Sequence, residues 1–162
     1  MEKQALLIWE IRNLFENKTL NLVIFKFKYL NLNIVIQQIT KGIKISVESK
    51  FEGSFLRENN PHHAFKYFIY IENQSKNVVQ LISRQWEIKE VTCLPHYVNG
   101  IGVVGKKPVI HPGESHNYQS GSLITSPIGS MSGTFTMINF STAQKFNVEI
   151  PNFKLNVPYI LN

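Results

Sequence analysis

The residues of this sequence whose types and spacing could support binding chemistry are concentrated in one glycine-rich stretch, residues 98–131. Seven of the nine glycines of the chain lie between Gly100 and Gly133. Glycine adopts positive φ angles more readily than any other residue, so such a concentration indicates sharp turns or a close approach of the backbone to another group. Gly100, Gly102 and Gly105 also reproduce the G-x-G-x-x-G spacing of dinucleotide-binding sites.

Neither nucleotide-binding motif fits the residues that follow. The dinucleotide fingerprint requires a helix after the glycines, and Pro108 and Pro112 exclude a helix there. A phosphate-binding P-loop is excluded because Lys107 stands where the magnesium-binding Ser or Thr belongs. The favoured interpretation is a tight, irregular crossing between strands. The alternative is an anion-binding concavity of backbone N–H groups beside Lys106 and Lys107.

The composition argues against catalytic and metal chemistry. The sequence contains no aspartate, which excludes Asp-rich calcium loops and a Ser-His-Asp triad. No G-x-S-x-G nucleophile motif occurs. Adjacent His62 and His63 must point to opposite sides of an extended chain, and His111 and His116 have too few partner ligands for zinc. We therefore predict a protein that is not an enzyme, with no catalytic residue, no metal and no cofactor.

Length and charge place the chain among ordinary globular proteins. A chain of 162 residues with 43% hydrophobic and 17% charged residues corresponds to one well-packed domain. The net charge of +6 comes from scattered residues, so we expect no specific nucleic-acid partner. Cys93 is the single cysteine, which favours a reducing compartment and predicts a buried or half-buried thiol.

From residue 38 onward the hydrophobic pattern is that of β-strands. Apolar and polar residues alternate over several short segments, with turn signals such as Pro112 and Gly113 between them. The segment 51–63 reads as a long polar loop. The predicted strands are residues 43–47, 65–71, 78–88, 115–120, 134–140 and 146–150, the last one leading into a proline. The strand over 78–88 is apolar on both faces, which predicts a central strand or a bulge, and Trp86 is predicted to fill the core.

Residues 1–34 have a different character. Leu7, Ile11 and Leu14 fall at helical spacing, and a Phe/Lys alternation follows at Phe25 and Phe27. Neither apolar run is long or uniform enough for a signal peptide or a membrane span, so we expect a cytoplasmic protein with no membrane contact. We expect residues 1–34 to be an extension outside the native protein, with the valine at position 35 encoded by a GUG start codon. The competing interpretation is a genuine extension that docks as an edge strand.

The segments QQITKGIKISVES, YFIYIEN, VQLISRQW, GIGVVGKKPVIHPGE, YQSG, TSPIGSMSGTFTM and VEIPNFKL together resemble the ApaG domain family over residues 35–162. The resemblance implies an all-β, immunoglobulin/fibronectin type III-like sandwich of about seven or more antiparallel strands. Bacterial members of the family are small proteins of unsettled function, linked to cobalt and magnesium tolerance. Eukaryotic relatives carry the domain as an apparent protein-interaction module.

We therefore predict a binding module for an unknown protein partner. The alternative is a binder of a phosphate-containing small molecule or nucleotide. Both hypotheses use the same candidate residues of the glycine-rich segment: Gly100, Gly102, Gly105, Lys106 and Lys107. A partner surface predicts exposed apolar side chains at Tyr97, Val103, Val104 and Ile110. An anion site predicts convergent N–H groups and both lysines around one concavity.

Overall fold

The computed structural model describes residues 35–91 and 93–158, and within these ranges the chain forms nine β-strands and no helix. The strands are β1 (Ile36–Thr40), β2 (Ile43–Arg57), β3 (Asn60–Asn73), β4 (Val79–Glu90), β5 (Cys93–Ile101), β6 (Val109–Ile110), β7 (Ser115–Ile124), β8 (Ile128–Asn139) and β9 (Gln144–Asn156). None of these residues belongs to a helix long and apolar enough to cross a membrane.

The strands form two antiparallel sheets. The first sheet has the order β1-β2-β3-β7, and the second has the order β5-β4-β8-β9, with the short β6 beside β4. The core lies between the sheets because alternate residues of each strand point inward. On β3 the inward residues Phe65, Tyr67, Ile69 and Ile71 are all buried, as the alternation predicts. The prediction of an all-β, antiparallel sandwich is confirmed.

A bulge in β4 decides which of its side chains face the core. The pairing of β4 with β8 shifts register between Leu81 and Ser83, so two residues of β4 fit where one would lie in a regular strand. Beyond the bulge, Arg84 pairs with the buried Phe135, and directly paired residues share a face of the sheet. Arg84 and Trp86 therefore point toward the space between the sheets. The prediction that this strand is central or bulged is confirmed on both counts.

The two sides of the sandwich differ. On one side, β9 approaches β1 and β2: the Glu149 amide donates to Thr40 Oγ1 at 3.3 Å, and Ser49 Oγ donates to the Lys154 carbonyl at 3.0 Å. The opposite side lies between the edge strands β5 and β7, and within residues 35–91 and 93–158 no backbone hydrogen bond joins these two strands. We call this second side the open side.

Two sequence-based boundaries are wrong. Residues 51–63 are not a loop, because β2 and β3 continue through them to a tight turn at Glu58 and Asn59, whose φ angles are 51° and 63°. The last strand does not stop before Pro151, because β9 continues to Asn156. Since β9 is an edge strand and its pairing with β8 shifts register between Met131 and Gly133, a proline can be accommodated there. The predicted turn at Pro112 is confirmed by the hydrogen bond from the Glu114 amide to the His111 carbonyl.

The expectations for residues 1–34, a helix followed by a strand and a start at position 35, lie outside the described residues.

Candidate functional site

The glycine-rich segment forms a tight two-residue turn between β5 and β6. The amide of Val103 donates to the carbonyl of Lys106 at 2.8 Å, and the amide of Lys106 donates back to Val103 at 3.0 Å. Between them, Val104 and Gly105 have φ angles of 47° and 73°, which is the pattern of a type I′ β-turn. A β-branched residue rarely adopts a positive φ, so the surrounding structure must hold this conformation at Val104.

Gly102 allows β5 to approach this turn closely. Its φ is 58°, and its amide donates to the carbonyl of Ile82 at 2.8 Å. A Cβ atom at this position would collide with the backbone carbonyl oxygen of Lys106. Gly105 differs, because a Cβ atom there would meet open space and only its φ of 73° favours glycine. The structure therefore agrees with the positive φ angles expected at both glycines.

Arg84, on the inner face of β4, contacts and stabilises the glycine-rich segment. Its Nη1 donates to the carbonyl of Gly102 at 2.7 Å. A Cβ atom on Gly100, the residue paired with Arg84, would lie 2.6 Å from the same nitrogen, so the guanidinium occupies the space beside that glycine. Sequence analysis did not identify Arg84, since the β4 bulge that turns it inward leaves only a weak signal in the sequence.

Polar side chains of β7 face Arg84 from the other sheet. Ser120 pairs directly with the buried Tyr67, so it points toward the space between the sheets. Tyr118 lies two residues earlier on the same face, and its ring packs against Phe135 with centroids 6.5 Å apart. Because Phe135 is the direct partner of Arg84, Tyr118 and Arg84 lie opposite each other across the gap between the sheets.

We call Arg84, Tyr67, Tyr118 and Ser120 the Arg84 cluster. The electrostatics of this cluster favour the binding of a negatively charged group. Burial raises the pKa of Tyr118 and of Tyr67, so both hydroxyls stay protonated at neutral pH. The hydrogen bond between Tyr67 and Ser120 opposes this rise in the pKa of Tyr67, and the positive charge of Arg84 opposes it at both tyrosines. Burial, assisted by the charge of Lys106, lowers the pKa of His116 below its ordinary value of 6.5. The cluster therefore combines a guanidinium with protonated hydroxyl groups.

The predicted lysines lie at the surface of the turn, and most of the turn amides already have acceptors. Lys106 and Lys107 are both exposed. The amides of Gly102, Val103 and Lys106 donate to backbone carbonyls of the chain itself. These three groups are therefore not available to an anion bound at the turn.

Exposed apolar side chains follow β5 and continue onto the turn. The most exposed are Leu94 and Ile101, with 89% and 72% of their surfaces accessible. We define the β5 surface as the exposed apolar residues Leu94, Tyr97, Ile101 and Val104. The expected exposure is confirmed for Tyr97 and Val104. It is wrong for Val103 and Ile110, each only 1% exposed, which belong to the core.

The remaining predicted residues give mixed results. Trp86 is confirmed as a core residue, with its ring 5.4 Å from that of Tyr67 and its surface 2% exposed. The expectation of a buried or half-buried thiol at Cys93 is wrong, because this residue opens the exposed edge strand β5.

The histidines do not gather into a site. His62 and His63 point to opposite faces as expected: the ring of His62 stacks on Phe55, whereas His63 is buried with Nδ1 2.6 Å from Ser54 Oγ. Residues 35–91 and 93–158 contain no group of three His, Cys or Glu side chains that could hold a metal ion.

Comparison with known proteins identifies the family. The model of the ApaG domain matches residues 53–139, which include the glycine-rich turn and Arg84. Protein ApaG of Methylobacterium sp. (strain 4-46) is 38% identical over 121 residues, which cover 75% of this chain and 92% of that protein. Protein ApaG of Thiobacillus denitrificans is 37% identical over 120 residues, covering 74% and 94%.

Solved structures agree with this relationship. The crystal structure of the ApaA protein from Bordetella pertussis superposes with a TM-score of 0.63 at 32% identity, covering 72% of this chain and 94% of that one. An X-ray structure of a Northeast Structural Genomics Consortium target gives a TM-score of 0.70 at 31% identity, covering 74% of this chain and 90% of that one. The chain belongs to the ApaG domain family.

Proposed function

We propose that the protein is a non-enzymatic binding module that docks a protein partner on the β5 surface, next to the glycine-rich turn. The observation that carries the proposal is the exposure of β5, where every residue except Gly100 is exposed. Monomeric proteins rarely leave large apolar side chains together on their surface, and where they do, the patch commonly marks an interaction site.

The position of β5 suggests how a partner would bind. It is an edge strand of the second sheet, so the backbone groups on the side away from β4 face outward. An extended segment of a partner can pair with such an edge, while apolar side chains such as Leu94 and Ile101 provide the specificity. This binding mode needs no catalytic group or metal ion on the module.

The proposal extends to the cellular role that the family resemblance implies. We connect cobalt and magnesium tolerance with this binding role rather than with a metal site, because the sequence has no aspartate and the described strands bring no set of metal ligands together. A reducing cytoplasm, consistent with a single exposed cysteine, is the compartment that we propose for it.

A photo-cross-linking amino acid at position 101 tests the proposal in living cells. We expect it to capture a defined partner, and we expect Leu94→Ser in the same chain to abolish the capture without unfolding the protein. Leu123, which is 51% exposed on the edge strand β7 of the other sheet, provides the matched control position. Equal yields of the same cross-linked products from positions 101 and 123 would refute the β5 surface as the binding site.

A phosphorylated small molecule at the turn is the second candidate. The exposed Lys106 and Lys107 favour it, as do the Val104 and Gly105 amides, for which the described residues supply no acceptor. A titration of the unmodified protein and of Lys106→Ala/Lys107→Ala with pyrophosphate tests this candidate.

A further inference from the structure

We propose that the open side of the sandwich contains an oxyanion-binding site centred on Arg84, in which the hydroxyl of Tyr118 assists the guanidinium. The ligand is a carboxylate or phosphate group that enters between β5 and β7. The site lies beneath the glycine-rich turn rather than on it, and the inference does not depend on the β5 partner.

The charge of Arg84 is the first argument. Its side chain is half-buried on the inner face of β4, and in residues 35–91 and 93–158 it forms no ion pair with a carboxylate. Among the described residues, its side chain donates to the backbone carbonyls of Gly102 and Ile101, both reached by Nη1. A partly desolvated guanidinium without a counter-charge is costly, and a bound oxyanion would supply that counter-charge through two parallel hydrogen bonds.

Two buried donors without partners are the second argument. The Tyr118 hydroxyl and the Trp86 indole N–H are buried, and neither has a hydrogen-bond partner among the residues that the structure describes. Buried polar groups of this kind are rare in proteins, because burial removes the hydrogen bonds that water would otherwise provide. Tyr118 lies across the gap from Arg84. Trp86 is the next residue after Arg84 on the same face of β4. A bound anion would satisfy the tyrosine hydroxyl and the guanidinium together.

Access from solvent is the third argument. The inner-face residues of β3 are fully buried, whereas Ser120 and Ser122, on the inner face of β7, are only half-buried. Val98 pairs with the buried Trp86 and is nevertheless 42% exposed. Gly100 adds no side chain at the point where Arg84 reaches β5. The rim of the gap between β5 and β7 is therefore accessible to solvent at Val98, Ser120 and Ser122.

The site differs chemically from an anion site on the turn. The turn would rely on Lys106 and Lys107, which are exposed and offer point charges. The Arg84 cluster offers a planar guanidinium and hydroxyl donors in a partly desolvated space, where each charged hydrogen bond is stronger. The two sites therefore make different predictions for the same set of variants.

The test is a titration of the full-length protein with phosphate, pyrophosphate and acetate at constant ionic strength, followed by the Trp86 indole N–H resonance and by thermal denaturation. We expect at least one anion to raise the melting temperature and to shift that resonance. Tyr118→Phe removes only the hydroxyl, so we expect it to fold normally and to bind that anion roughly fivefold to tenfold more weakly. Tyr70→Phe, at a tyrosine 45% exposed on β3, should bind like the unmodified protein.

The outcomes distinguish the possible sites. Arg84→Lys should weaken binding further because lysine lacks the planar fork. Preference for acetate over the phosphates would identify the ligand as a carboxylate, and the reverse would identify a phosphate group. No response of the unmodified protein to any of the three anions would overturn the proposal. It would also be overturned if Lys106→Ala/Lys107→Ala abolished binding while Tyr118→Phe left it unchanged, because the anion would then bind at the turn.

Discussion

Individual residues in the glycine-rich segment have separate structural roles. Gly102 satisfies two requirements, a φ of 58° and the absence of a Cβ atom where the Lys106 carbonyl lies. Gly105 satisfies only the first, because its surroundings are open. The similar positions of these glycines in the sequence motif conceal this difference.

The difference predicts unequal effects of alanine substitution. Gly105→Ala should lower the free energy of unfolding by about 1 kcal/mol, the usual penalty for alanine at positive φ. Gly102→Ala should cost more than about 2 kcal/mol, since β5 or the turn must also move to relieve the collision. Urea denaturation of the two variants measures both values. Equal losses would contradict the close approach at Gly102.

At the level of the elements, Glu90 connects the end of β4 to the loop that follows β7. Its Oε2 accepts hydrogen bonds from the Thr125 amide at 2.7 Å, the Thr125 hydroxyl at 2.9 Å and the Ser126 amide at 2.9 Å. Burial of the carboxyl would raise its pKa, but these hydrogen bonds outweigh burial and lower the pKa below its ordinary value of 4.5. The ionised form is therefore the one that holds the two sheets together at this end.

This contact predicts a stability effect that depends on pH. Glu90→Ala should destabilise the fold by about 1 kcal/mol or more at neutral pH, because it removes the acceptor of the partly buried Ser126 amide, whereas water can replace the acceptor at the exposed Thr125. A lowered pKa in the folded state means that the stabilisation is present above the ordinary pKa of 4.5 and is lost as the pH falls through the folded-state value.

Urea denaturation at several pH values between about 6 and 3 tests this effect, and the difference between the variant and the unmodified protein should shrink with acidification. Glu149→Ala is the control, because that side chain is exposed and accepts no hydrogen bond from residues 35–91 or 93–158. A difference that stays constant over this range would show that the Glu90 charge has no such role.

The bulge in β4 also shows how far the sequence could predict the elements. The alternation of β2 and β3 is regular, so their strands and inward residues follow directly from the sequence. In β4, regular alternation from Val79 and Leu81 would turn Ser83 inward and Arg84 outward. One extra residue reverses the faces of every side chain that follows it. The site around Arg84 therefore depends on a register that only the paired strands reveal.

The edge strand β5 was not predicted from the sequence, for a different reason. Nearly all of its residues are exposed, so it lacks the alternation of apolar and polar residues by which a half-buried strand is recognised. The turn residues that follow it were identified because glycines mark positive φ directly. In this protein the sequence predicts the core strands and the turn, but it does not predict how the two edge strands surround a half-open space.

At the scale of the whole sandwich, the two edge strands of the second sheet are expected to differ in stability. The edge of β9 is supported by contacts with β1 and β2, and four of its inward residues are at most 2% exposed (Val148, Ile150, Phe153 and Leu155). The strand β5 is exposed along its length and has no backbone hydrogen bond to β7 within the described residues. Local opening requires less free energy where few apolar contacts are buried.

Amide hydrogen exchange of the full-length protein tests this asymmetry. The amides of β5 that pair with β4 should exchange much faster than the amides of β9 that pair with β8, although each strand forms an antiparallel ladder with one register shift against a central neighbour. The central strands β3, β4 and β8 should exchange most slowly and serve as the internal reference. Addition of an anion that binds at Arg84 should slow exchange in β5 and β7 while leaving β9 unchanged. Equal exchange rates in β5 and β9 without ligand would show that the open side is as stable as the closed one.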